Sequence, residues 1–75
     1  MRNLEKRSVL LAGHATSVAL EPEFWEVLRA MATARGETLT VLLARIDDNR
    51  ADRPLASACR VTALEFAGSA VRAGD

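Results

Sequence analysis

Apolar and polar positions alternate between residues 15 and 20. One side carries Thr16, Val18 and Leu20, and the other carries Ala15, Ser17 and Ala19. A period of two with β-branched residues predicts a β-strand with one apolar side. The segment Glu21-Pro22-Glu23 ends it. Residues 8–11 leave a second interpretation open, in which they form another short strand and Gly13-His14 is a bend or a loose hairpin.

Helical spacing replaces the alternation after Pro22, which suits a first helical position because proline has no N–H to satisfy. The apolar pattern predicts a helix from Pro22 to Arg35, and Gly36 is typical of the residue just beyond a helix C-terminus. Thr38 is a good N-cap for a second helix. That helix should end near Asn49, where the chain becomes polar.

A third helical pattern runs from Leu55 to about Val71, after a break at Pro54. Its apolar stripe is Leu55, Cys59, Thr62 and Phe66, widened by Ala58, Val61 and Leu64. Gly74-Asp75 should fray.

The predicted order is one strand followed by three helices. A single strand has no pairing partner in its own chain, although its backbone N–H and C=O groups need hydrogen-bond partners. A second copy of the chain can supply them about a two-fold axis. The chain has 75 residues, 49% of them hydrophobic, and one cysteine. A chain this short needs a staple or a partner, which also favours a homodimer. The predicted dimer core is Thr16, Val18, Leu20, Trp25, Leu28, Leu39, Leu42, Leu43 and Ile46.

Ten basic and ten acidic residues give a net charge of zero, which by itself argues against a nucleic-acid partner. The basic excess lies at the N-terminus, where Arg2, Lys6 and Arg7 outnumber Glu5. One cysteine and one histidine are too few for a structural zinc site, so we expect no metal and no cofactor. No catalytic set is visible, and we expect no enzyme.

A single unpaired thiol, a charged start and no long apolar run predict a cytoplasmic protein without a membrane partner. Three other distinctive residues have structural interpretations. We expect Trp25 to pack in the core, His14 to lie in a turn and Cys59 to be a buried thiol.

Residues 16–25 (TSVALEPEFW) and 36–40 (GETLT) together resemble the ribbon-helix-helix family. Residues 7–14 and 55–60 resemble a bacterial subgroup of that family with an extra C-terminal helix. The resemblance implies a mostly α fold with one β-strand: an intertwined homodimer with an intersubunit antiparallel β-ribbon and a C-terminal third helix. Residues 1–14 would form a basic arm or short strand, 15–53 the ribbon-helix-helix core, and 54–75 the last helix and frayed end.

The resemblance further implies a dimeric transcriptional regulator that binds duplex DNA with its ribbon in the major groove. Base-facing residues would be Ala15, Ser17 and Ala19. Phosphate contacts would come from Thr38, Leu39 and Thr40 at the start of the second helix, and from Lys6 and Arg7 in the arm.

Two features depart from the family pattern. Ala15 and Ala19 offer no hydrogen bond to a base, and Glu37 would repel a phosphate near Thr38. These departures favour an alternative function, an antitoxin-like or adaptor dimer that binds another protein and has weak or no DNA readout.

Overall fold

The computed structural model describes residues 3–73, and their side chains as far as Ser69. Arg2 of the predicted arm and the predicted frayed end at Gly74-Asp75 lie outside the described residues. The described chain forms two strands and three helices in this order: β1 (Glu5–Leu11), β2 (His14–Leu20), α1 (Pro22–Ala34), α2 (Leu39–Asn49) and α3 (Leu55–Ala73).

The strands β1 and β2 form an antiparallel hairpin whose register runs from Glu5 opposite Leu20 to Leu11 opposite His14. Only Ala12 and Gly13 connect them, with φ angles of 50° and 81°. Two positive φ values in a two-residue loop define the turn type that matches the natural twist of a hairpin. The connection is therefore a tight turn at Ala12-Gly13, not a loose bend at Gly13-His14.

The expectation of a single strand without a mate in its own chain is wrong, because β1 pairs with β2 along seven residues. The alternation of β1 was hidden because charged residues occupy two of its inward positions. Glu5 and Arg7 are half-buried, and Val9 and Leu11 continue the same side. The argument that an unpaired strand requires a second chain therefore no longer applies, and the intersubunit ribbon stays a prediction.

Local chemistry places the helix ends close to where the sequence predicts them. Pro22 is the first residue of α1. At its end, the N–H of Glu37 donates to Ala32 O over 3.0 Å and the N–H of Gly36 donates to Thr33 O over 3.1 Å. This pair of bonds is the Schellman motif, and it needs a left-handed residue that Gly36 supplies with φ +68°.

The core lies between the inner side of the hairpin and the three helices. Of the predicted dimer-core residues, Thr16 and Leu39 are half-buried and the others are buried within one chain. The buried apolar residues are Leu11, Val18, Leu20, Trp25, Leu28, Met31, Ala32, Leu42, Leu43, Ile46, Ala58, Cys59 and Ala63.

The third helix packs mainly against α1, and also contacts α2 and β2. Ala58, Cys59 and Ala63 are buried there, and such small side chains let helices approach closely. The prediction that Leu64 widens the apolar stripe is wrong, since Leu64 is 69% exposed. One position earlier, Ala63 faces the core instead.

Gly36→Ala should lower the free energy of unfolding by about 1 kcal/mol, because a Cβ is strained at φ +68°. Gly68→Ala is the matched control. Gly68 lies inside α3 with open space where a Cβ would go, so alanine should stabilise the helix by up to about 1 kcal/mol. Urea denaturation of both variants measures the two changes in the free energy of unfolding. Changes of the same sign would contradict the assigned C-terminus of α1.

Candidate nucleic-acid interface

The outer side of the hairpin faces away from the helices. The three predicted base-facing residues of β2 all lie on this side, with Ala15 and Ser17 exposed and Ala19 half-buried. The register places Lys6 beside Ala19, Ser8 beside Ser17 and Leu10 beside Ala15. We call these six residues the outer face; Leu10 is 65% exposed within it.

Lys6 and Arg7 were predicted to act together in a basic arm, but they lie on opposite sides of β1. Lys6 is exposed on the outer face. Arg7 is half-buried on the inner side, where its guanidinium lies 2.7 Å from the Glu5 carboxylate and 5.4 Å from the centre of the Trp25 ring. Only Lys6 is placed to meet a ligand that approaches the outer face.

The start of α2 keeps two backbone donors free. Thr38 is the N-cap, and its Oγ1 accepts a hydrogen bond from the Val41 N–H over 3.1 Å. The Leu42 N–H donates to Thr38 O over 3.0 Å. Among the described residues, the N–H groups of Leu39 and Thr40 have no acceptor. Free N–H groups and the positive end of the helix dipole favour an anion at this position.

Glu37 does not leave an uncompensated negative charge beside α2. Its side chain is 10% exposed and forms ion pairs with Arg35 and Arg45. The arginine side chains themselves are about half exposed, at 47% and 50%. The cluster therefore carries a net charge of +1 next to the start of α2, which reverses the repulsion expected from Glu37 alone.

Arg35 and Arg45 were missed in the sequence, because ten positions separate them and helical spacing does not join them across the turn. The one local feature of the sequence that indicated this cluster was Gly36. A helix that ends at Gly36 and another that starts after Thr38 bring their flanking side chains together.

One further charged group, Arg60 of α3, contacts two residues at the start of α1. Arg60 donates to Glu21 over 3.0 Å, and its guanidinium lies 5.8 Å from the centre of the Phe24 ring. The backbone hydrogen bond of Glu21 and the bond from Arg60 hold the pKa of that carboxyl below its usual value. Both contacts join α3 to the start of α1 and so contribute to packing.

The described residues hold no group of three or more histidine, cysteine or acidic side chains that could bind a metal ion. Cys59 is fully buried. Burial raises the pKa of its thiol to about 11, against a smaller opposing effect of Arg60. A thiol with a raised pKa is a poor nucleophile, consistent with its interpretation as a packed side chain. No helix in the described part of the chain is long and apolar enough to cross a bilayer.

A strand that leads into two helices joined by a Gly-x-Thr turn, with small side chains on the outer side of the strand, defines a class of small strand-helix-helix folds. The sequence profile of the ribbon-helix-helix domain matches residues 4–67. The chain belongs to the ribbon-helix-helix family, whose members are in general non-enzymatic DNA-binding transcription regulators or antitoxins. Comparison with the curated proteins and with the solved structures gave no significant match.

The buried thiol makes folding stability fall in alkali. In the unfolded chain the thiol ionises near its ordinary pKa of 9.0, whereas in the folded chain it keeps its proton to about 11. Between those values the unfolded state binds fewer protons, so the free energy of unfolding should decrease with rising pH, by roughly 2–3 kcal/mol in all.

Urea denaturation at pH 8 and at pH 10.5 measures this decrease. The chain has no tyrosine and a single lysine, so few other groups titrate in that range. Cys59→Ala is the control and should lose the decrease. The same decrease in the variant would rule out Cys59 as its source.

Proposed function

We propose that this chain is a DNA-binding transcription regulator that acts as a homodimer. The observation that carries the proposal is the free edge of β2, next to an outer face made of small side chains. Family membership supplies the class of function, and the edge and the outer face supply the residues that would perform it.

The free edge of β2 supports pairing with a second copy of the chain. In a two-residue hairpin the pair that closes the turn exchanges both backbone hydrogen bonds, and the pairs then alternate. The backbone groups of His14, Thr16, Val18 and Leu20 therefore point toward β1. Those of Ala15, Ser17 and Ala19 point toward the free edge.

Natural edge strands are usually protected by charges, proline or a bulge. None of these occurs at Ala15, Ser17 or Ala19. Antiparallel pairing with a second copy uses all seven residues of β2 when Ser17 lies opposite Ser17 of the second copy. We take this register as the dimer interface of the proposed regulator.

Ser17→Pro should separate the dimer and leave the subunit folded. Proline removes the N–H at position 17, which points to the free edge, and edge strands tolerate this loss. Thr16→Pro is the control, since it removes an N–H that β1 needs and should unfold the hairpin. Sedimentation should give twice 8.1 kDa for the parent chain and 8.1 kDa for the Ser17→Pro variant. A folded dimeric variant would exclude this edge as the interface.

DNA would be held by two parts of each subunit. The outer face would turn toward the major groove, where Ser17 offers a hydroxyl to a base edge. The start of α2 would bind a backbone phosphate through the N–H groups of Leu39 and Thr40, aided by the exposed guanidinium groups of Arg35 and Arg45. Phosphate contacts of this kind fix the position of a protein on the duplex and carry no base preference.

A second function, binding of another protein by an antitoxin-like or adaptor dimer, has its own supporting observation. Leu10 on the outer face is 65% exposed and lies opposite Ala15 in the hairpin register. Exposed apolar side chains that lie together are typical of protein-binding surfaces. Ala15 and Ala19 also give little base discrimination, since a good bidentate contact is worth about 1–3 kcal/mol and alanine makes none.

Thr40→Glu separates the two functions. The residue is exposed near the N-terminus of α2, where a carboxylate favours the helix and repels a phosphate. Binding to random duplex, measured by anisotropy at two salt concentrations, should weaken at least about tenfold. Thr40→Gln, the neutral control, should bind like the parent chain.

The parent chain itself should bind less tightly at the higher salt, because phosphate contacts release counterions. Absence of binding at both salt concentrations would exclude the DNA-binding function and leave the protein-binding one.

A further inference from the structure

We infer that β1 belongs to the DNA-contacting surface, and that Lys6 and Ser8 contact the phosphates on the two sides of the groove. This inference rests on the proposed function and on the dimer register given with it. In a two-stranded ribbon only the strands of the dimer interface contact DNA, whereas here β1, which lies outside the interface, contacts it as well. The inference also gives Lys6 and Arg7 different roles.

Pairing of β2 with its second copy produces a sheet of four strands in the order β1, β2, β2, β1. The outer face of each chain then joins into three rows. The middle row consists of serines alone, namely Ser8 and Ser17 followed by Ser17 and Ser8 of the second copy. Each neighbouring row starts at Lys6, continues through two alanines and ends at Leu10 of the other chain.

The width of this sheet decides where β1 lies. Neighbouring strands are about 4.8 Å apart, so the two β1 strands are about 14 Å apart. The major groove is about 12 Å wide. The two β2 strands, with their small side chains, therefore fit over the opening, and the two β1 strands lie above its edges, where the phosphates are.

The chemistry of the outer face agrees with this placement. The small residues Ala15, Ser17 and Ala19 allow the middle of the sheet to approach the bases closely. Lys6 is a compact cation on a flexible stem, suited to a phosphate, and it is the only lysine of the chain. Ser8 adds a hydroxyl donor. The two-fold axis places one Lys6 beside each DNA strand, about 20 Å apart along the diagonal of the sheet.

Arg7 cannot take the same role without leaving its own contacts. It lies against the Trp25 ring and the Glu5 carboxylate, on the side of β1 that faces the helices. Two adjacent basic residues thus have different roles, Lys6 toward DNA and Arg7 toward the core.

The test compares the salt dependence of duplex binding for the parent chain, Lys6→Ala and Arg29→Ala. Arg29 is exposed on α1, so its replacement removes the same charge away from the sheet. Loss of one phosphate contact lowers the slope of log affinity against log salt by about 0.9. Lys6→Ala should therefore reduce the slope by about 2 per dimer and weaken binding at least about tenfold, while Arg29→Ala changes the slope little.

Ser8→Asp should also weaken binding, because it places a carboxylate at the same phosphates. Ser8→Ala should have a smaller effect. Circular dichroism checks that each variant stays folded, which we expect because both side chains are exposed on the outer face. Acetylation of Lys6 provides an independent measurement, since bound duplex should slow its modification severalfold.

The outcomes separate the two proposals. If the parent chain does not bind duplex, the proposed function fails. If the parent binds with a steep salt dependence while Lys6→Ala keeps the full slope and Lys6 stays open to acetylation, the function stands and the role of β1 is overturned. Equal losses for Lys6→Ala and Arg29→Ala would show an effect of net charge and would overturn it as well.

Discussion

Trp25 joins the hairpin to the helices, and the side of the hairpin that faces outward depends on this contact. The side chain is fully buried, and its Nε1–H donates to the backbone carbonyl of Glu5 over 2.7 Å. A buried indole N–H needs such a partner, since an unsatisfied one costs about 1–3 kcal/mol. The bond fixes the first residue of β1 over α1, and the register of the hairpin then decides which side of each strand faces out.

The helices and β2 could be predicted from the sequence because each has a local signal. Pro22, Gly36 and Thr38 mark helix ends by backbone conformation and hydrogen bonding, and these do not depend on distant residues. The alternation of β2 placed Ala15, Ser17 and Ala19 away from the core, as the structure has them.

The remainder required tertiary contacts. The strand β1 has charged residues on its inward side, where Glu5 and Arg7 form an ion pair and Arg7 lies over the Trp25 ring. A pattern of hydrophobicity carries no trace of such a pair. The neutralisation of Glu37 by Arg45 likewise joins residues eight positions apart across a turn, and no periodicity connects them.

The second strand of the hairpin would change how the proposed dimer contacts DNA. In the proposed dimer, the face available for contact would be twice as wide as a ribbon, and the Ser17 hydroxyls would be its only hydrogen-bonding side-chain groups on the two central strands. Donors and cations lie toward its margins and at the start of α2. If DNA is bound as proposed, most of the affinity would come from phosphates and little from bases. The choice of site would then depend on the shape of the duplex or on a second bound protein.

The tight connection at Ala12-Gly13 has a consequence for the order of assembly. Contacts between residues so near in sequence form within microseconds. This is far sooner than two chains at cellular dilution can collide. If the chain dimerises as proposed, the contacts of its hairpin would therefore form before it meets a second copy. In the proposed dimer, association would then join two edges that are already formed, and neither chain would have to thread through the other.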